Sequence, residues 1–148
     1  MTEATHLDAL AQKAARLRRC VERAREERQL APDFAIDFSR QDASILNIQR
    51  ACDLAIDMAN MVISHERLGL PQGAKEVFAL LQERAVIAGD LSHDLQNMVG
   101  FRNLAVHQYE KLNMDIVEKV ISEKLDALLQ FAGLVLTRTR TRSKTSKA

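Results

Sequence analysis

The chain is poor in aromatic residues and in the residues that interrupt helices. Its 148 residues include five glycines, two prolines, one tyrosine and no tryptophan, and aromatic residues make up only 4% of the total. So few turn-forming residues favour long helices over a sandwich of short strands. A chain of this length is expected to form one domain with a single core.

Several kinds of site and location are disfavoured by what is missing. The only cysteines, Cys20 and Cys52, lie far apart and form no CxxC or Cys/His ligand motif. A disulfide framework or a structural zinc site is therefore not expected, and no cofactor is implied. The N-terminus has no charged-then-apolar signal, and no apolar run approaches the ~20 residues of a membrane span. The sequence predicts a cytoplasmic protein that does not enter a membrane.

Charge is balanced overall but unevenly distributed along the chain. The formal net charge is +1, which excludes binding of nucleic acid through bulk charge. We expect the basic residues between 13 and 28 to form a solvated helix face, because acidic residues are interspersed among them. The end of the chain has no acid among its basic residues, Arg138, Arg140, Arg142, Lys144 and Lys147. The predicted organisation is a single helical domain over residues 1–136 and a basic, flexible tail over 137–148.

Apolar residues at helical spacing predict five helices. These cover about residues 7–29, 39–68, 74–84, 90–107 and 113–136. Ser39 with Asp42 is a weak cap for the second helix, and Asn113 or Asp115 caps the fifth. Helices of this length with short links predict an all-α fold, an up-and-down bundle of four to five helices.

The second and fourth predicted helices carry more small and apolar residues than one core requires. Those residues include Ala51, Met58, Met61 and Phe101. A homodimer would bury them, so we expect the protein to be homodimeric.

One guanidinium interrupts the apolar stripe of the fourth predicted helix. On an ideal helix this stripe consists of Leu91, Leu95, Met98, Arg102, Ala105 and Tyr109. A buried Arg102 requires a carboxylate, a solvated cleft or a bound anion, because it cannot lose its proton. Asp53 and Asp57 are the candidate partners. They are weak candidates for a metal site, since no third ligand with suitable spacing is present.

His107 follows Arg102 by five residues, which is about 140° around a straight helix. The two side chains meet only if the helix ends or distorts near His107, if the arginine wraps round, or if a second protomer completes the site. Asn103 and His107, four residues apart, share a face. From spacing alone, a salt-bridged arginine and a hydrogen-bonded histidine are the commoner explanation.

The pattern of Arg102, a polar residue, His107 and Tyr109 resembles the motif of HEPN-domain ribonucleases, most closely the HepT-like toxins. Other segments resemble that family in order and spacing: residues 47 and 52–59, 69–71, 78–81 and 98–109. The resemblance covers about residues 7–136.

This resemblance implies a metal-independent endoribonuclease toxin, a homodimer with a composite cleft lined by residues from both chains. His107 and Arg102 would be catalytic, with His107 transferring protons and Arg102 stabilising charge on the phosphate. Asn103 would orient His107 or hold the ribose, and Tyr109 would stack on an RNA base. The implied partner is an MNT-type nucleotidyltransferase antitoxin, which transfers AMP from ATP onto Tyr109.

Two other interpretations are compatible with the sequence. In the first, the helical dimer is a non-catalytic subunit in which Arg102 binds a nucleotide or another anion for a partner nucleotidyltransferase. Such a protein would not need His107. In the second, the protein is a structural dimer with an accidental motif. That interpretation predicts an internal carboxylate such as Asp57 on Arg102 and no open cleft near His107.

Overall fold

Six helices and two irregular turns form the part of the chain that the computed structural model describes, residues 2–147. The helices are α1 (Glu3–Gln29), α2 (Phe38–Glu66), α3 (Ala74–Glu83), α4 (Gly89–His107), α5 (Met114–Lys119) and α6 (Leu125–Lys147). A 3₁₀ turn, Tyr109–Lys111, follows α4, and a π-turn, Val120–Lys124, joins α5 to α6. None of residues 2–147 lies in a strand, and none of these helices is long and apolar enough to cross a membrane. The predicted all-α fold is confirmed.

Side chains just before the first helical residue cap three helices, α1, α2 and α5. The Asp37 carboxylate accepts a hydrogen bond from the Arg40 backbone N–H at 3.1 Å, so Asp37 caps α2 instead of the predicted Ser39 with Asp42. Asn113 caps α5, because its side-chain oxygen accepts the N–H of the residue two positions later at 2.8 Å. Asp42 is therefore not needed for capping and is available for another contact.

The four long helices α1, α2, α4 and α6 alternate in direction, which is the predicted up-and-down arrangement. α2 is the central element and packs against α1, α3, α4 and α6. Ser44 of α2 donates to the Ala24 carbonyl of α1 at 2.7 Å, and Arg25 of α1 pairs with Asp126 of α6 at 2.8 Å. The C-terminal end of α1, the N-terminal ends of α2 and α6 and the C-terminal end of α4 consequently lie at one end of the bundle.

The central position of α2 corrects the predicted dimer surface. Ala51 and Met58 of α2 are fully buried within the protomer, Phe101 of α4 is 6% exposed, and Met61 is half-buried. A helix with neighbours on several sides buries most of its circumference, so its extra apolar residues belong to the core of one chain. These four residues do not indicate a dimer surface.

α6 continues well beyond residue 136, where the sequence had predicted a flexible tail. The Glu66 carboxylate, 5% exposed, accepts from Nη2 of Arg138 at 2.8 Å and from its Nε at 3.2 Å, and Arg142 Nε lies 3.6 Å away. Thr139 and Ser143 are buried. Residues 137–147 therefore continue α6, which packs on the bundle through residues 138–143, and Ala148 lies outside the described residues. The composition of residues 137–148 did not predict this packing, because the Glu66 carboxylate that holds Arg138 is 72 residues away in the sequence.

Candidate functional site

The polar motif lies where α4 ends. The helix stops at His107 because the backbone of Gln108 leaves the helical region, with φ −141° and ψ 48°, while its N–H still bonds the Leu104 carbonyl at 2.8 Å. Tyr109 then begins the 3₁₀ turn. Arg102 and Asn103 are thus helical, His107 is the last helical residue, and Tyr109 follows the break. Because His107 is still helical, it lies about 140° around the helix from Arg102, and no hydrogen bond joins the two side chains within residues 2–147.

Arg102 is held by two oxygen atoms. Its Nε lies 3.0 Å from Asp53 Oδ1, and its Nη1 donates to Asn103 Oδ1 at 3.0 Å. The Nε contact is an ion pair without the alignment of a hydrogen bond. Nη2 makes no hydrogen bond to the residues that the structure describes. Because a guanidinium has five N–H donors, the Nη1 and Nη2 edge keeps donors for an anion.

The structure distinguishes between the two candidate aspartates. Asp53 faces α4 and pairs with Arg102, whereas Asp57 lies 3.5 Å from Lys13 Nζ of α1. Burial raises the pKa of Asp53 above its ordinary value, Arg102 offsets part of this rise, and the charge of Asp57 adds to it. An internal carboxylate on Arg102 was expected of a purely structural dimer, but here it leaves part of the guanidinium unpaired.

Asn103 contacts Arg102 instead of His107. Adjacent helical residues do not normally face each other, so this contact depends on the long arginine side chain bending back. No hydrogen bond joins Asn103 to His107 within residues 2–147. The imidazole of His107 is exposed at the end of α4, where it is accessible to a substrate.

Tyr109 has a partner that the sequence analysis did not identify. Its phenol donates a hydrogen bond to Asp42 Oδ1 of α2. Burial raises the pKa of Tyr109 above its ordinary value, and the hydrogen bond and negative charge of Asp42 raise it further. The side chain is nevertheless 41% exposed. The only available signal was an acid near the start of α2, and its spacing from Ser39 had predicted a helix cap.

A groove of about 280 Å³ lies beside the motif, between α4 and the α5–π-turn segment. Its apolar floor includes Met98, Phe101 and Leu104, and Lys119 and Lys124 lie at its edge. The remaining lining residues are Asp94, Asn97, Ile116 and Val120. The groove therefore combines an apolar surface with two cations, and its α4 side runs from Asp94 to Leu104, which lies one helical turn before His107.

The two cysteines do not contribute to this site. Cys52 is buried and donates to the Met98 carbonyl at 3.7 Å, and burial raises its pKa to about 12. Cys20 is a free thiol. Among residues 2–147, no three His, Cys, Asp or Glu side chains are grouped to hold a metal ion.

Comparison with known proteins finds a family and several relatives. Residues 10–135 match the family described as ribonuclease HepT-like. The chain is 39% identical to the mRNA nuclease HepT of Shewanella oneidensis over 128 residues, which are 86% of this chain and 96% of the relative. A solved structure of tri-AMPylated Shewanella oneidensis HEPN toxin in complex with MNT antitoxin has a TM-score of 0.84 and 38% identity, and covers 88% of this chain and 98% of that chain. A cytosolic protein of unknown function from Bacillus subtilis shares the fold at 13% identity, with a TM-score of 0.79.

Proposed function

Because the chain belongs to the HepT-like ribonuclease family, we propose that it is the ribonuclease toxin of a two-gene toxin–antitoxin pair. It cleaves RNA in the cytoplasm without a metal ion and is neutralised by a nucleotidyltransferase antitoxin. The proposal rests on one observation. Asp53 and Asn103 hold the Arg102 guanidinium on a helix that ends at an exposed histidine, His107.

The proposed reaction is attack of a ribose 2′-hydroxyl on the adjacent phosphorus. The O2′–P bond forms and the P–O5′ bond breaks, which leaves a 2′,3′-cyclic phosphate and a 5′-hydroxyl. One group must take the 2′-hydroxyl proton, and another must protonate the leaving O5′. His107 suits either role, because an imidazole nitrogen can either accept or donate a proton. A second His107 from the partner subunit supplies the other role.

Arg102 stabilises the charge that builds on the non-bridging phosphate oxygens. Its contacts with Asp53 and Asn103 fix the guanidinium plane, while the Nη1 and Nη2 edge has donors left for two-point contact with phosphate. Donors fixed in advance cost no reorganisation during the reaction, and each is worth about 10²- to 10³-fold in rate.

The distribution of exposed apolar side chains supports a homodimer that joins two such sites. Of the nine large hydrophobic residues that are exposed in the described chain, all except Leu70 lie at the site end of the bundle. The eight are Leu30, Ile36, Phe38, Leu46, Leu104, Val106, Tyr109 and Ile116. Pairing two protomers through part of this end would bury side chains such as Leu46 and Val106 and bring two copies of the motif together, while Tyr109 and the groove beside α4 stay accessible.

RNA binding is supported by the groove beside α4. Its apolar floor suits the faces of unstacked bases, and Lys119 and Lys124 suit backbone phosphates. In this arrangement RNA bases occupy the groove while the scissile phosphate lies at Arg102.

Neutralisation is proposed to occur at Tyr109. It is the only tyrosine of the chain, and its phenol is partly exposed in the turn after the motif. Transfer of AMP onto this phenol would add bulk and negative charge beside Arg102, so the modified site would repel RNA. Shewanella oneidensis HEPN toxin is AMPylated in its complex with MNT antitoxin.

The test is cleavage of total tRNA and mRNA by the purified unmodified protein in EDTA. We expect His107→Ala to lower the rate by about 10²- to 10⁴-fold and Arg102→Ala by about 10²- to 10³-fold. Wild-type products should carry cyclic-phosphate ends, and circular dichroism should show that the variants are folded.

His93→Ala and Arg50→Ala are the matched controls, because both replace exposed residues of α4 and α2 away from the motif. Both should cleave like wild type. Absence of cleavage by the unmodified wild type would refute the toxin proposal and favour the non-catalytic subunit that binds a nucleotide or another anion.

A further inference from the structure

Asp42 and Tyr109 form a contact that the proposed ribonuclease reaction does not use. The phenol hydrogen of Tyr109 is directed at Asp42 Oδ1, and the two residues are 67 positions apart. Asp42 lies in the second turn of α2, and Tyr109 opens the 3₁₀ turn after α4. The contact therefore depends on the packing of these two helices.

The usual structural roles of a helix carboxylate do not account for Asp42. The N-terminus of α2 is capped by Asp37. None of the ion pairs within residues 2–147 includes Asp42, although its carboxylate is exposed. The Asp42 carboxylate therefore has no cationic partner among residues 2–147, and it accepts a hydrogen bond from Tyr109, the only phenol of the chain.

We propose that Asp42 accepts the phenol proton of Tyr109 when a nucleotidyl group is transferred to that residue. This inference rests on the modification of Tyr109 described under the proposed function. Asp42 would thus be a catalytic residue of the transfer reaction that the toxin chain itself contributes to its own neutralisation.

The transfer step balances with a nucleoside triphosphate, ATP, as the co-reactant bound by the partner transferase. Tyr109 Oη attacks the α-phosphorus, and the Oη–P bond forms. The bond between the α-phosphorus and the oxygen that bridges to the β-phosphate breaks, and its electron pair leaves with pyrophosphate. The phenol proton moves to the Asp42 carboxylate.

Attack by the Tyr109 phenol on the α-phosphorus requires a base that removes the phenol proton. A phenol has an ordinary pKa of about 10, so little phenolate is present at neutral pH. The surroundings of Tyr109 favour the neutral phenol still further. A general base must lie within hydrogen-bond reach of the proton it removes, and Asp42 meets that condition before any partner binds.

The experiment measures transfer of labelled AMP from ATP to the chain by the MNT antitoxin of the Shewanella oneidensis complex. Asp42→Asn and Asp42→Ala are compared with wild type, and Tyr109→Phe gives the background. The asparagine oxygen can still accept the phenol hydrogen bond but cannot take up its proton, whereas alanine loses both. We expect both Asp42 variants to lower kcat by about 10²- to 10⁴-fold with little change in KM for the chain.

Asp33→Asn is the matched control, because Asp33 is an exposed acid of the α1–α2 loop whose side chain makes no hydrogen bond or ion pair within residues 2–147. It should be modified at the wild-type rate. Transfer to Asp42→Asn at the wild-type rate would overturn the inference, since Asp42 would then only orient the phenol.

RNA cleavage by the same unmodified proteins separates the two proposals. Asp42→Asn and Asp42→Ala should cleave RNA like wild type, which also shows that they are folded. A wild-type chain that is labelled at Tyr109 but does not cleave RNA would refute the ribonuclease proposal and leave this inference standing. A wild-type chain that cleaves RNA but takes no label would overturn this inference together with the modification on which it depends.

Discussion

At the scale of single residues, two aspartates of α2 hold the polar side chains at the end of α4. Asp53 forms an ion pair with Arg102, and Asp42 accepts a hydrogen bond from the Tyr109 phenol. Each contact leaves part of its partner unengaged: Arg102 keeps donors at its terminal nitrogens, and Tyr109 remains 41% exposed. The same helix therefore positions both the residue proposed to bind phosphate and the residue proposed to be modified.

The residue-scale prediction concerns the titration of Tyr109. Its pKa should lie above the ordinary value of about 10, because burial and Asp42 both favour the neutral phenol. The chain has one tyrosine and no tryptophan, so near-ultraviolet absorbance of tyrosinate follows this phenol alone. Asp42→Ala should lower the midpoint, whereas Asp33→Ala should not. A wild-type midpoint at the ordinary value would contradict the contact.

The sign of the effect on stability follows from the same shift. The folded chain keeps the phenol proton at a pH where the unfolded chain has lost it. The contribution of Tyr109 to the free energy of unfolding is therefore fully present below about pH 10 and is lost as the pH rises through the folded pKa. Urea titrations of wild type and Tyr109→Phe across this range measure the difference.

At the scale of secondary structure, the π-turn gives the groove its two cations. Leu125 N–H bonds the Val120 carbonyl five residues earlier, so this turn contains one residue more than an α-helical turn. Lys119 and Lys124 would differ by about 140° on a straight helix. Here both line the groove beside α4. π-turns often occur at functional sites, and this one places two lysines on the groove beside α4.

The element-scale prediction is that Lys119→Ala with Lys124→Ala weakens RNA binding. In a His107→Ala background, each lost phosphate contact should reduce the slope of log affinity against log salt concentration by about 0.7 for single-stranded RNA. Fluorescence anisotropy over a series of salt concentrations measures this slope.

Lys144→Ala removes an exposed lysine at the other end of the bundle and should leave the slope unchanged. If Lys144→Ala reduced the slope and the double variant did not, RNA would bind along the basic end of α6 instead of the groove.

At the scale of the whole molecule, the packing of the helices concentrates exposed apolar residues at the site end. The alternating helix directions bring the α1–α2 loop, the end of α4 and α5 to that end. Leu70 alone among the large exposed hydrophobic residues of the described chain lies outside it. An exposed apolar surface of this kind is expected to mediate association with another protein chain.

The prediction at this scale is that Leu46→Glu with Val106→Glu separates the proposed homodimer into monomers and abolishes RNA cleavage. A carboxylate buried in an apolar interface without a partner is costly, while both positions are exposed in the protomer and the fold should survive. Light scattering after gel filtration measures the mass, and circular dichroism the helix content.

Leu70→Glu is the control, since Leu70 is 90% exposed at the opposite end. It should remain dimeric and active. A monomeric wild type, or a double variant that stays dimeric, would contradict this assignment of the interface.

The helices themselves were determined by the sequence. The spacing of Leu10, Leu17 and Val21 in α1, and equivalent spacing in the other long helices, predicted helices whose observed ends mostly differ by only a few residues. Capping is also local, so the sequence predicted Asn113 or Asp115 as the cap of α5, and Asn113 is the one observed. These features depend only on residues within one or two turns of each other, which is why a single sequence contains them.

Only the tertiary structure decided how the helices face one another. Asp53 and Asp57 are four residues apart on one helix, and the packing of α2 directs one to Arg102 and the other to Lys13. In the same way Asp42 reaches Tyr109 and Glu66 holds Arg138, across 67 and 72 residues of sequence. Periodicity defines the apolar face of a helix but not which neighbour each polar side chain will meet, because that depends on the rotation and register of helices distant in the chain.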